Sequence, residues 1–367
     1  EEIRLKTGRI RHFFAGGNTG VGFYSFYDQV VGPDPNHLYI LKGGPGTGKS
    51  TFMRQIGEEL FARGFDLEYL HCSSDPNSLD GLLIPALKTA FIDGTAPHTI
   101  DPIYPGVIDE IINLGAFLNL KGLKAKQRQI IETGQKKKAC FERAYVYLNA
   151  ALGVYRNWRK TNYSCLDQQA WLAVLHEIKA DLFTNCQPTG QKGRLRHLFA
   201  SAITADGPVH FLESLDSTAN RLYILDGPPG TGRAEIIKRL VTTAVDYGLD
   251  VEVFHCALDP AKYEHLWIPD LKTAVLTSTW PHNYPPNAHH WFRHIATDAF
   301  LKPERKLYSD TLKEARLVFL DLWERSISWL GKARVLHSDL EKLYIDSMDF
   351  DQLTQLRNGL LHRLLQT

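Results

Sequence analysis

No run of about 18 apolar residues occurs in the 367-residue chain, so no membrane-spanning helix is expected. The opening residues "EEIRLKTGRIRHFF" are charged where a secretory leader would be apolar, and no signal peptide is expected either. Cysteine is scarce: the five residues are odd in number and include no CxxC pair, which argues against a disulfide framework and for a reducing, cytoplasmic location. Net charge is nearly absent as well, +1 from 42 basic and 41 acidic side chains, so there is no global attraction to nucleic acid or to an anionic membrane. What remains is the profile of an ordinary globular protein, 44% hydrophobic and 23% charged, long enough for two domains with separate cores.

The chain writes one sentence twice. "LYILKGGPGTGKST" (Leu38 to Thr51) returns as "LYILDGPPGTGRAE" (Leu222 to Glu235), with Lys49 and Arg233 separated by 184 residues. The echo extends well beyond the loop: "GRIRHFFA" at Gly8 with "GRLRHLFA" at Gly193, "HCSSDP" at His71 with "HCALDP" at His255, "IPALKTA" at Ile84 with "IPDLKTA" at Ile268, and "LDQQ" at Leu166 with "FDQL" at Phe350. A tandem duplication is expected, with repeats 1–185 and 186–367 joined through the polar, Gly- and Pro-containing stretch Thr184 to Gly193.

Within each repeat the pattern is α/β. "HLYILKG" (His37 to Gly43) reads as a buried parallel strand, and "STFMRQIGEELFARG" as an amphipathic helix with Phe52, Ile56 and Leu60 on one face and Gly64 as its C-cap. "DLEYLHCSS" and "TAFIDGT" (Thr89 to Thr95) read as further strands, giving a βαβ unit with a parallel sheet. Residues 105–183 are expected to form a helical subdomain appended to the first sheet, and 296–366 its counterpart.

"GGPGTGKS" satisfies G-x-x-x-x-G-K-[ST] in the required context, after a strand and before a helix. Gly43, Gly44, Pro45, Gly46, Thr47, Gly48, Lys49, Ser50 and Thr51 are therefore expected to cradle the phosphates of ATP, with Lys49 on the β and γ phosphates and the Ser50 hydroxyl on Mg²⁺. Asp93, ending the apolar strand "AFID", is the expected second magnesium contact. Asp75 in "SSDP" and the pair Asp109 and Glu110 are alternative acids for orienting an attacking water.

These residues resemble the P-loop NTPase superfamily, and "GGPGTGKST" followed by a helix and "YLHCSSDP" is similar to the ATPase core of the RecA and KaiC type. That resemblance implies Asp75 as the water-polarising base. The interval between "HCSSDP" and "AFIDG" is shorter than the helix and strand of the RecA type. Along its whole length the chain resembles a group of bacterial tandem P-loop proteins described as ATPases.

The second repeat keeps Gly227, Gly230, Thr231 and Gly232 but replaces Lys49 by Arg233, Ser50 by Ala234 and Asp93 by Thr277. Losing the phosphate-binding charge and both magnesium contacts leaves an expected non-catalytic partner, which either holds nucleotide or buttresses the first repeat. Features common to both repeats, His71-Cys72 with His255-Cys256, Asp75 with Asp259 and His98 with His282, are weighted toward structural roles, whereas Asp93, Asp101, Asp109 and Glu110 occur in the first repeat only. The run Lys121 to Lys138 holds seven basic residues against Glu132; a solvated helix face is the default, a phosphate-contacting lid the alternative, and the lack of aromatic residues in the run argues against nucleic acid. The glycine-rich stretch at Gly16 reads as a connector or a loop over nucleotide. Arg233, or the paired Arg11 and Arg196, is a candidate arginine finger between repeats that face each other as a pseudo-symmetric pair. The leading expectation is a Mg²⁺-dependent ATP hydrolase whose turnover moves the two halves or a bound partner, a protein or a small-molecule acceptor. The alternatives are a nucleotide or small-molecule kinase with its acceptor in the helical segment, and a nucleotide-sensing module with negligible turnover.

Overall fold

The computed structural model describes residues 8–32, 34–96, 99–284 and 292–366. The first repeat runs through β1 (Ile10–Phe13), the hairpin β2 (Gly16–Thr19) and β3 (Gly22–Ser25), β4 (His37–Lys42), α1 (Lys49–Ala62), β5 (Leu67–His71), β6 (Leu79–Ile84), β7 (Thr89–Asp93), β8 (Asp109–Asn113), α2 (Leu120–Ala125), α3 (Gln127–Ser164) and α4 (Gln168–Phe183). The second follows the same course: β9 (Leu195–Leu198), β10 (Ser201–Thr204), β11 (Gly207–His210), a short α5 (Glu213–Asp216), β12 (Arg221–Asp226), α6 (Arg233–Asp246), β13 (Val251–His255), β14 (Tyr263–Ile268), β15 (Thr273–Ser278), β16 (Phe292–Ala296), α7 (Ser309–Ile345) and α8 (Phe350–Gln366). The strand orders are β1-β5-β6-β7-β4-β8 and β9-β13-β14-β15-β12-β16, so the duplicated sequence gives one topology twice. No helix among the described residues is long and apolar enough to cross a membrane.

Both six-stranded sheets are mixed, not parallel as the sequence pattern led us to expect. β6 runs antiparallel to β5 and to β7, and β14 likewise to β13 and β15. The reason is chain length: a parallel return needs a crossover of about a dozen residues or more, and only Cys72 to Ser78 separates β5 from β6. The helical segments also begin later than 105 and 296. Asp109–Asn113 pairs in parallel with β4 as an edge strand, and β16 does the same against β12, before the helices start at Leu120 and Ser309. The stretch at Gly16 is a hairpin joined to its neighbours by Gly20 N–H to the Leu258 carbonyl and by Tyr145 Oη to Asn18, a connector role.

The sheets lie against a shared core: Phe13, Leu70, Ala90 and Ile92 from the first meet Leu198, Phe254, Trp267 and Leu276 from the second. Phe14 and Phe199 exchange both backbone hydrogen bonds at 2.9 Å across this junction. Beneath it, Arg11 binds Glu68 at 2.9 Å and Glu252, while Arg196 binds Glu68 at 2.7 Å and Glu252 at 3.1 Å. This closed cluster of buried charges ties the repeats together, and it takes Arg11 and Arg196 out of any arginine-finger role.

The helical segments are exchanged. With 38 residues α3 is about 57 Å long at 1.5 Å per residue, and it carries the chain off its own sheet and onto the second repeat. There α4 lays Trp171, Leu175, Ile178 and Leu182 into the core formed by α6 and the second sheet. Reciprocally, α8 places Leu353, Leu360 and Leu364 against α1 and the first sheet. α3 and α7 run antiparallel, with Lys137 beside His337 at one end and Tyr155 beside Phe319 at the other. The boundary near residue 185 thus divides the repeats along the chain, but each helical segment belongs in space to the opposite sheet.

Candidate functional site

The glycine loop of the first repeat leaves β4 at Lys42 and enters α1 at Lys49. Gly48, the helix N-cap, is left-handed at φ 85°, and Gly46 at φ 74°, so both need the freedom of glycine. At Gly46 there is a second reason: a Cβ would stand 2.6 Å from the Glu341 carbonyl oxygen. Thr47 is buried and donates to the Gly44 carbonyl at 2.8 Å, pinning the curl, while Pro45 is partly buried and Thr51 exposed.

Lys49 folds its ammonium onto the Gly43 and Gly44 carbonyls at 2.8 and 3.0 Å and lies 3.6 Å from Asp93 Oδ2. Asp93 reaches it because β7 is the direct neighbour of β4, in the register Leu41 to Asp93. Its other oxygen accepts the Thr95 N–H at 2.8 Å. The Ser50 hydroxyl oxygen accepts the Leu79 N–H at 2.8 Å, which fixes its position at the start of α1. Lys49, Ser50 and Asp93 are therefore brought to one loop.

Three side chains that the motif does not name face this loop from the long helices. Lys137 of α3 lies 3.3 Å from His337 of α7, whose other nitrogen is 3.7 Å from Glu341. Burial lowers the Lys137 ammonium, with Lys49 as a like-charged neighbour. Burial first, then Lys137 and Lys49, hold His337 down to about 4, whereas burial and Asp75 raise Glu341. Each shift reports charge crowded into a partly dry space. Lys137 was visible in the basic run Lys121 to Lys138, though nothing in the run marked it off from its neighbours. His337 and Glu341 come from the other repeat and gave no signal.

The remaining acids are engaged locally, Asp75 close enough to act on Glu341 and His337. Asp75 caps its own turn, accepting the Asn77 N–H at 3.2 Å and the Ser78 hydroxyl at 2.7 Å. Glu110 is brought to the opposite end of the sheet: it pairs with Tyr39 in the ladder, and its carboxylate binds Arg363 at 3.1 Å and His37 at 3.3 Å, a structural bond that corrects its candidacy as a catalytic acid. Asp109 accepts the Ile103 and Tyr104 N–H groups, and Asp101 is exposed. His71 bridges His12 at 2.8 Å and the Pro76 carbonyl at 2.6 Å, holding the turn after β5. His98 lies outside the described residues. Among the described residues no group of three or more His, Cys, Asp or Glu side chains could hold a metal ion.

The second loop repeats the backbone, with Gly232 at φ 82° capping α6 and Gly227 and Gly230 also at positive φ, but it is closed off by side chains of the first repeat. Asn162 donates to the Pro229 carbonyl at 2.6 Å, and Trp171 to the Gly232 carbonyl at 3.1 Å. Thr231 binds the Pro228 carbonyl at 3.0 Å and Thr297 at 2.6 Å. Arg233 is buried, its basicity lowered by desolvation, with Nη1 lacking a partner among the described residues. It stays at its own loop near Tyr155 and Glu264, so it does not act on the first loop in trans. Thr277 is buried in the register position that Asp93 holds in the first repeat.

Comparison with family models, with curated proteins and with solved structures gives no match to this chain.

Proposed function

We propose that the first repeat binds ATP and hydrolyses it with Mg²⁺, and that the second repeat is its structural partner. The observation that carries this reading is the loop itself: a left-handed glycine curl opening a helix, with Lys49 inside and Asp93 at 3.6 Å on the neighbouring strand tip. Backbone amides at a helix start, with Lys49 and Lys137 close by, offer donors suited to phosphate oxygens. The ammonium of Lys49, now on two carbonyls, would transfer to the anion. Ser50 and Asp93 offer the hard oxygen donors that Mg²⁺ prefers, and the ion would supply charge neutralisation at the phosphates when bound. Water activation is assigned to Glu341. Its carboxylate, raised by burial, is a better general base than Asp75, whose oxygens are engaged by its own turn. The active repeat thus borrows its base from its partner, which gives a chemical reason to retain a repeat whose own loop lacks the phosphate- and magnesium-binding residues.

Two variants test this reading by phosphate release from Mg·ATP. Asp93→Asn is expected to raise the Mg²⁺ concentration needed for half-maximal turnover, and an unchanged titration would remove Asp93 from the ion. Glu341→Gln is expected to lower turnover by about 10²–10⁴-fold with nucleotide binding retained; full activity in that variant would return the base to Asp75.

A further inference from the structure

We propose that the second repeat carries a separate small-molecule site, a cavity beside the closed loop that takes a planar nitrogen heterocycle bearing an anionic tail. The cavity has a volume of about 560 Å³, within the range of about 300–1,000 Å³ usual for ligand sites. Pro228 and Pro229 of the second loop form part of its wall.

Its shape is set by aromatic rings. Trp158 from α3, Phe319 and Trp323 from α7, and Trp280 after β15 line the cavity. Trp280 meets Trp323 at 5.5 Å and 68°, and Phe319 at 5.8 Å and 88°, so these rings pack edge to face on one another and form one aromatic wall. Flat rings stack in such a setting.

Its polarity is set by three unsatisfied atoms. Trp158 Nε1, Glu264 Oε2 and His282 Nδ1 are buried without a hydrogen-bond partner among the described residues, and all three residues line the cavity. A buried polar atom left unpaired costs about 1–3 kcal/mol, and three of them on residues of one cavity wall favour a ligand that supplies partners. Lys262 holds Oε1 of Glu264 at 3.1 Å and keeps the carboxylate ionised, so Oε2 is purely an acceptor and needs an N–H or O–H donor. Trp158 Nε1 is purely a donor. Burial keeps His282 neutral, its pKa lowered to about 4, so it serves either way. A heterocycle edge that alternates donors and acceptors, as guanine does, meets this set. At the mouth stand Arg305, Lys313 and Arg316. Lys313 and Arg316 are exposed and in no ion pair among the described residues, which suits an anionic tail.

The probe is GMP, titrated by calorimetry into full-length Lys49→Ala protein so that phosphate binding at the first loop is weakened. Saturable binding is expected, weakened about tenfold or more for guanosine, which lacks the anion, and for ribose 5-phosphate, which lacks the ring. Trp158→Phe and Arg316→Ala, which keep the aromatic bulk and alter an exposed side chain respectively, should each weaken GMP several-fold. Glu264→Gln should weaken it further, but it leaves Lys262 buried opposite a neutral group and is secondary to those two. Absence of saturable GMP binding would overturn the proposal, as would binding that neither Trp158→Phe nor Arg316→Ala changes. Because Trp158 and Arg316 line the second-repeat cavity and not the first loop, an inactive first loop in the unmodified protein leaves this test intact.

Discussion

The two glycine loops share a backbone path, yet the helices laid over them carry opposite chemistry. Counting 182 residues along the exchanged helices, Lys137 and His337 over the first loop correspond to Phe319 and Tyr155 over the second. The first pair is 3.3 Å apart and charged or ionisable; the second is an aromatic contact at 6.0 Å. The first loop has its carbonyls covered by the ionic Lys49, with Asp93 and Glu341 close by, whereas the second has them covered by the neutral Asn162 and Trp171. A glycine curl is therefore a packing element in its own right, a sharp entry into a helix that lets another helix approach closely. The groups turned toward it decide whether it also serves an anion. Gly230 makes this plain, since a Cβ there would meet the Arg159 carbonyl oxygen at 2.2 Å whether or not phosphate ever binds.

The largest expected effect comes from separating the halves. Residues 1–185 alone would expose the apolar face of α4 and strip Leu353, Leu360 and Leu364 from the first sheet. Neither half is expected to show a cooperative unfolding transition by itself, and mixing the two should restore one; a stable, monomeric 1–185 fragment would refute the exchange. Next comes the charge cluster that belongs to both repeats. Glu68→Ala and Glu252→Ala should each cost about 3–5 kcal/mol in urea unfolding, because each leaves two arginines sharing one carboxylate and one positive charge unbalanced. Clearly unequal losses would show that the junction is not symmetric.

A smaller effect concerns pH. His71 and His255 are both lowered from 6.5 to about 4, chiefly by burial. Between those values the unfolded chain binds more protons than the folded one, so stability is complete above pH 6.5 and declines as pH falls toward 4. The midpoint in denaturant should drop steadily from pH 7 to 5, and a flat profile would place these rings in contact with solvent.

The placement of Lys49, Ser50 and Asp93 at one loop was legible in the sequence because a strand, a glycine turn and a helix start lie consecutively, and because a strand tip announces its own end. β6 was not: "LDGLLI" is a buried run whose direction depends on how little chain precedes it. Lys137 could not be told from its basic neighbours, since the phase of α3 is fixed only by where α7 lies. His337 and Glu341 were hidden by the exchange, which depends on the length of α3 and not on any motif. Arg11 and Arg196 were misread because a conspicuous arginine pair looks available until register sets Glu68 beside Arg11 and Glu252 beside Arg196.

The most direct comparison of the two loops is ATP turnover by full-length Lys49→Ala and Arg233→Met under saturating Mg²⁺. Lys49→Ala is expected to lower turnover by at least about 10²-fold, the scale of losing one preorganised charge at the phosphates. Arg233→Met, which exchanges a buried, incompletely bonded guanidinium for an apolar chain of similar length, should leave turnover unchanged and the fold at least as stable. Comparable losses in the two variants, or a loss confined to Arg233→Met, would contradict the proposed division of the chain into one catalytic and one structural loop.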